Sequence, residues 1–158
     1  ALDALAAGHT GVTVLDVGSG AGLPGIPIAV ARPAWSVTLL EPVQKKHAFM
    51  TQAVATLGLR NASPLAQRVE DFRAAIPFTI AVSRAFSDLA SFAESTSRHV
   101  AADGALVAMK GVHPDEELRE LPPAFVVSEA IALRVPGVDA SRHLIVMRPA
   151  RADVPPCR

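Results

Sequence analysis

The residues best suited to chemistry stand together early in the chain, in the run Asp16-Val17-Gly18-Ser19-Gly20-Ala21-Gly22-Leu23-Pro24-Gly25. Glycines at such a place let the backbone turn sharply and approach a ligand closely, and a helix that follows offers unpaired N–H groups at its N-terminus. Gly20 to Gly25 also spells G-x-G-x-x-G, the spacing of a dinucleotide loop. Glu41 stands 19 residues beyond Gly22, at the end of a second apolar run. A carboxylate there can accept hydrogen bonds from both hydroxyls of a ribose, a role common to NAD and S-adenosylmethionine enzymes. Loop and carboxylate together point to an adenosine-bearing ligand without choosing the cofactor. The plain alternatives are a glycine turn that binds nothing and a solvated strand-end glutamate.

Two further places carry charge just after an apolar run: Arg68-Val69-Glu70-Asp71 and Ser83-Arg84-Ala85. A carboxylate or backbone N–H in the first could read an adenine edge, and Arg84 in the second would stand beside a reacting group. Glu70 and Asp71 also suit a helix start, where the macrodipole favours acidic residues whatever the function.

These positions matter because of the elements that must hold them. Short apolar runs at Val12 to Val17, Ser36 to Leu40, Ser63 to Gln67, Phe78 to Ser83 and Ala105 to Met109 read as buried parallel strands. Helices are expected at Leu23 to Ala31, at Gln44 to Leu57 with Phe49, Ala53 and Leu57 on one face, and at Asp88 to His99. A short turn or helix is expected around Glu70 to Ala75, and a turn at Asp103-Gly104. Such alternation predicts an α/β fold, a mostly parallel doubly wound sheet whose ligand sits beyond the carboxyl ends of the strands. After a short helix at Asp115 to Leu121, the runs Phe125 to Val135 and His143 to Arg148 have no helix between them and predict a closing antiparallel hairpin.

The 158 residues suffice for one domain, expected over residues 1–150 with a tail at 151–158, and a 50% hydrophobic composition supplies its core. The one cysteine, Cys157, excludes an internal disulfide and a cysteine metal cluster, which favours a cytoplasmic setting. The five histidines are scattered, and no metal site is assigned. No apolar stretch approaches the roughly 18 residues of a spanning helix, so no membrane role is expected. With 15 basic and 15 acidic residues the net charge is zero, which neither demands a nucleic acid nor excludes a local basic patch.

The strings LDVGSGAGLPGIPIA, LLEPVQKKHAFM, RVEDF, VSRAF, AMKG and RHLIVMR, in this order, resemble the RsmG (glucose-inhibited division protein B) family of bacterial ribosomal RNA methyltransferases. The resemblance runs from about Leu2 to Arg148 and implies a class I S-adenosylmethionine-dependent methyltransferase, Rossmann-like in fold. It further implies S-adenosylmethionine as cofactor and methylation of guanine N7 in the 530 loop of 16S rRNA, as free rRNA or in the small ribosomal subunit. Cofactor contacts implied by the match are Gly18, Gly20, Gly22 and Leu23 in the loop, Val69 and Glu70, and Arg84, with Glu41 keeping its ribose role. Family members carry an additional helical segment upstream, so the chain is expected to lack one. A monomer is expected.

Guanine N7 presents a lone pair in the neutral base, so no catalytic base is required and positioning carries the rate. Arg84 and Lys110 are the candidates for positioning donors, toward guanine O6 or a phosphate. Tyrosine is absent and Trp35 is the only tryptophan, so stacking platforms are scarce. Phosphate contacts from Lys45, Lys46, Arg68, Lys110 and Arg142 are then expected to carry RNA affinity, although each alone suits an ordinary solvated surface charge. The competing readings are an NAD-dependent oxidoreductase, a methyltransferase of the same fold with another substrate, and a non-catalytic RNA- or ribosome-binding module. The first lacks room for a substrate domain and any Tyr-x-x-x-Lys set.

Overall fold

The computed structural model describes residues 1–150 apart from 85 and 138. In chain order the elements are α1 (Leu2–Leu5), β1 (Thr13–Val17), α2 (Gly25–Ala31), β2 (Ser36–Leu40), α3 (Gln44–Thr56), β3 (Ala62–Leu65) and β4 (Phe78–Arg84). There follow α4 (Leu89–Thr96) with a 3₁₀ turn at Ser97–His99, β5 (Val100–Lys110), α5 (Asp115–Arg119), β6 (Phe125–Leu133) and β7 (Arg142–Pro149). The seven strands form one sheet in the order β3-β2-β1-β4-β5-β7-β6. Its first five members are parallel, and β7 runs antiparallel between β5 and β6. The expected α/β architecture is therefore present, hairpin included. The expected tail lies outside the described residues.

The central strands are buried on both faces, which is why they read as continuous apolar runs rather than alternating ones. Val14, Leu39, Met50, Ile80 and Val107 pack on one face beneath α2 and α3; Leu15, Leu40, Phe92, Leu106 and Ile145 pack on the other, beneath α4. A fully buried side chain of this size contributes roughly 1.5–3 kcal/mol. The strands, rich in such residues, therefore dominate the core, whereas Met50 is the one buried residue of α3.

Two expectations are corrected in detail. Phe49 on α3 and Leu57 just after it are each 56% exposed, because Met50 and its neighbours Ala53 and Val54 set the face turned to the sheet. Of the turn or helix expected around Glu70 to Ala75, the chain makes a turn, followed by an irregular link. Asp103-Gly104 does not end an element but lies within β5, where the pairing jumps from Phe78–Val100 to Ile80–Ala105. Gly104 is needed at that irregularity, since a Cβ there would stand 2.8 Å from the Thr79 carbonyl oxygen. α4 starts where Asp88 caps it, accepting from the Ser91 N–H at 2.7 Å, and that bond holds the Asp88 carboxyl below its ordinary range. Such a cap is worth about 1 kcal/mol.

Candidate cofactor and nucleotide site

The glycine loop leaves β1 at its carboxyl end, where Gly18, Gly20 and Gly22 all have positive φ, at 70°, 60° and 87°. An L side chain costs roughly 1–2 kcal/mol in this region, so the loop's path requires these residues. Ser19 pins the turn by donating its N–H to the Leu40 carbonyl at 2.9 Å and its hydroxyl to the Asp16 carbonyl at 3.0 Å. Glu41, 4% exposed, closes the loop from β2: Oε2 accepts from the Gly20 N–H at 2.9 Å and Oε1 from the Val43 N–H at 3.0 Å. Each oxygen keeps a second lone pair for a ligand hydroxyl. Glu41 thus anchors the loop as well as standing where a ribose contact was expected.

Asp16 heads the run singled out in the sequence, where it was given no role of its own. It is fully buried at the end of β1, with Oδ2 accepting from the Gly25 N–H at 2.8 Å at the start of α2. Its Oδ1 has no hydrogen-bond partner among the described residues. A buried carboxylate oxygen left without a donor is costly, so it marks a place that would welcome a cationic or donor-bearing ligand group. S-adenosylmethionine, with its ammonium and sulfonium charges, suits that demand, and the glycine loop with Glu41 suits its adenosine. The residues present therefore fit the cofactor. The signal in the sequence was the carboxylate itself, placed inside an apolar strand immediately ahead of the glycines.

Burial raises the Asp16 carboxyl from 3.8 to about 6, opposed by the Gly25 N–H, Ser19 and the nearby Arg84 and reinforced slightly by Glu41. In the ligand-free protein the folded state then binds the proton more tightly than the unfolded chain does. The sign follows: this group's contribution to stability is greatest below about pH 4 and declines as pH rises through about 6. Between pH 5 and 7.5 the decline is on the order of 1 kcal/mol. Urea midpoints at these two pH values should show it in the native chain and not in Asp16→Asn; an equal decline in both would refute the assignment.

The Val69-Glu70 turn reaches the same end of the sheet beyond β3. Its carbonyls are held from beneath: Arg98 Nη2 donates to Val69 at 3.0 Å, His99 Nε2 lies 3.1 Å from the same oxygen, and Arg73 Nη1 donates to Glu70 at 2.8 Å. Burial lowers the His99 pKa, keeping the ring neutral. Val69 is buried and Glu70 exposed, so the turn offers a ligand its backbone and the Glu70 carboxylate. Arg98 and His99 carry no motif and were not foreseen.

Arg84 ends β4, exposed, with no carboxylate paired to it among the described residues. Lys110, expected to be free for RNA, is instead engaged. Its Nζ lies 2.7 and 3.0 Å from the two carboxylate oxygens of Glu117 on α5, and Glu117 Oε2 accepts the Leu89 N–H at 2.8 Å. The ammonium thus ties β5 to α5 and to the start of α4. The other expected RNA contacts are exposed but divided: Lys45, Lys46 and Arg68 lie beyond β2 and β3, while Arg142 borders a cavity with Arg84 and Lys110 at the ends of β4 and β5. No cluster of three or more His, Cys, Asp or Glu side chains that could hold a metal occurs among the described residues. Nor is any helix among them long and apolar enough to cross a membrane.

The family model for GidB, rRNA small subunit methyltransferase G, matches residues 2–145. The ribosomal RNA small subunit methyltransferase G of Laribacter hongkongensis is 50% identical over 146 residues, covering 91% of this chain and 70% of that protein. Its counterpart from Nitrosospira multiformis is 48% identical over 148 residues, covering 89% and 68%. In fold, a solved S-adenosylmethionine-dependent methyltransferase from Aquifex aeolicus superimposes with a TM-score of 0.64 at 18% identity, over 86% of this chain and 81% of that one. With nearly its whole described length matched and half its residues shared, the chain belongs to the GidB family, rRNA small subunit methyltransferase G.

Proposed function

We propose that this chain transfers a methyl group from S-adenosylmethionine to N7 of a guanine in the 530 loop of 16S rRNA, in the cytoplasm and as a monomer. The observation that carries the reading is the orphaned, buried Asp16 Oδ1 beside a glycine loop closed by Glu41, in a chain of this family. S-adenosylmethionine, when bound, supplies an electrophilic sulfonium methyl. Gly18, Gly20, Gly22 and Leu23 would follow its methionyl and ribose portions, Glu41 would accept from the ribose hydroxyls, and the Val69-Glu70 turn would border the adenine.

The protein's task is then alignment. Guanine N7 holds its lone pair in the plane of the neutral base, so no side chain has to remove a proton before attack. Bringing that lone pair in line with the methyl group can supply several kcal/mol of the barrier reduction. Arg84, without a carboxylate partner among the described residues and close enough to Asp16 to lower its pKa, is suited to donate to guanine O6 or to a phosphate and so fix the base's rotation. Lys110 would assist only by leaving Glu117, and its place in this reading is to brace the wall beside Arg84. RNA phosphates would meet Lys45, Lys46, Arg68 and Arg142, giving an affinity that falls steeply with salt.

The test uses 16S rRNA and small subunits from a strain lacking the modification, incubated with the chain and methyl-labelled S-adenosylmethionine. Label in a single guanine of the 530 loop, at a site made cleavable by borohydride and aniline as N7-methylguanine is, supports the reading. Binding of S-adenosylhomocysteine with no label in 16S rRNA, or label in another molecule, would overturn the substrate assignment.

A further inference from the structure

We infer that Arg98 and His99 are positioning residues for the adenine of the cofactor: from the 3₁₀ turn that leads into β5 they hold the Val69 carbonyl, and so aim the Glu70 N–H at the adenine edge. The inference rests on the proposed cofactor site and adds what sets its preference for adenine. Neither residue is asked to touch the ligand; both act through the peptide that joins Val69 to Glu70.

The turn is tied from two sides. Its opening carbonyl, at Arg68, accepts from the Asp71 N–H at 3.2 Å and the Phe72 N–H at 3.0 Å. The Val69 carbonyl takes Arg98 Nη2 at 3.0 Å, and the same nitrogen donates to the Glu70 carbonyl, which Arg73 Nη1 also meets at 2.8 Å. The Val69–Glu70 peptide is trans. In a planar trans peptide the C=O and N–H point in opposite directions. With the Val69 oxygen drawn toward Arg98, the Glu70 N–H is turned away from it, and it has no acceptor among the described residues. Glu70 is exposed, so this donor is open to a ligand. The chain enters the turn from beside the ribose position, since the Glu41 N–H donates to the Leu65 carbonyl at the end of β3 at 3.1 Å.

Arg98 is committed to this contact. A basic residue just after α4 is favoured by the helix dipole alone. Yet its bonds go to the turn and to His99 rather than to carbonyls of that helix, and no carboxylate pairs with it among the described residues. Its Nε lies 3.2 Å from His99 Nε2. An arginine Nε carries its proton throughout, so Nε2 accepts, and the Val69 oxygen 3.1 Å away is a second acceptor on the same guanidinium. His99 is buried, with its ring 5.2 Å from that of Phe72 between centroids, and Phe72 belongs to the segment that closes the turn. The line of action runs from His99 to Arg98, to the Val69 carbonyl, to the Glu70 N–H.

Adenine presents N1 as an acceptor, whereas hypoxanthine carries a proton there and would oppose one donor with another. Calorimetric titration with S-adenosylhomocysteine and with its hypoxanthine counterpart, S-inosylhomocysteine, therefore reads where the N–H is aimed. Urea midpoints verify that each variant is folded. The native chain is expected to favour the adenine ligand at least tenfold. Arg98→Ala, which alters an exposed side chain, should bring the two affinities within threefold of each other by weakening the adenine ligand alone. His99→Phe, which keeps a ring against Phe72 and removes the acceptor, should lose at least threefold of the preference. His99→Gln, which restores an acceptor, should keep it within twofold of native. Equal weakening of both ligands in Arg98→Ala would make the contact merely structural and overturn the inference. So would the native preference persisting in Arg98→Ala, or a native chain that does not prefer adenine. Failure of the native chain to bind S-adenosylhomocysteine at all would instead overturn the cofactor reading on which the inference rests.

Discussion

Replacing Gly25 with alanine should cost about 3–6 kcal/mol and leave little folded protein, an effect read as a collapse of the urea midpoint. An added Cβ would stand 2.2 Å from Leu39 Cδ2 and 2.7 Å from Asp16 Oδ2. Neither neighbour can retreat, since both side chains are fully buried. Overpacking of this kind costs roughly 1–3 kcal/mol, and displacing Asp16 also breaks its charge-assisted bond to the Gly25 N–H, worth about 1.5–3 kcal/mol. The total is a large part of the 5–15 kcal/mol that typically holds a domain together. Gly20→Ala makes the control. There the nearest atom to a Cβ is 4.0 Å away, so only the positive φ is penalised, at about 1–2 kcal/mol. If Gly25→Ala were as mild as Gly20→Ala, the tight seating of α2 on β1 and β2 would be wrong.

The second large effect falls on ligand affinity. Glu41→Ala removes the acceptor of two backbone N–H groups, at Gly20 and Val43, and the group assigned to the ribose. Because Gly20 and Val43 reach solvent, water will replace much of what they lose, and stability should drop by only about 1–2 kcal/mol. Affinity for S-adenosylhomocysteine should fall at least thirtyfold, since a ligand must then both order the loop and forgo the carboxylate. Glu41→Gln keeps one acceptor oxygen and should lie between the two. Titration calorimetry decides it: an alanine variant binding within threefold of native would remove Glu41 from the site.

The fold was legible where burial is two-sided and local punctuation is strong. β1, β2 and β4 are apolar runs with glycines, a carboxylate or an arginine at their ends, and these ends coincide with the candidate site. What escaped depends on partners distant in sequence or on which way a face turns. The stripe of Phe49 and Leu57 looked like a core face, yet Met50 is what the sheet covers. Lys110 looked like a free cation because Glu117 lies beyond a turn, on another element. Arg98 and His99 act through carbonyl oxygens 28 to 30 residues away, and a contact with a backbone atom leaves no mark on residue type. Asp16 was visible as a letter, but its unpartnered oxygen emerges only when the donors around it are counted.

The place of β7 between β5 and β6 bears on how the molecule is made. During synthesis β6 leaves the ribosome before the strand that must separate it from β5. Until Arg142–Pro149 follow, the edge of β5 and both edges of β6 have no mate. An open edge of this kind is a template for pairing with other chains. The nascent chain is therefore most exposed to aggregation late, with its cofactor half already able to pack and its hairpin incomplete. Glu129, which faces solvent beside the register break between Val127 and Glu129, puts a charge and an irregularity on β6 during that interval. Those are the devices by which a waiting strand is kept from recruiting the wrong neighbour.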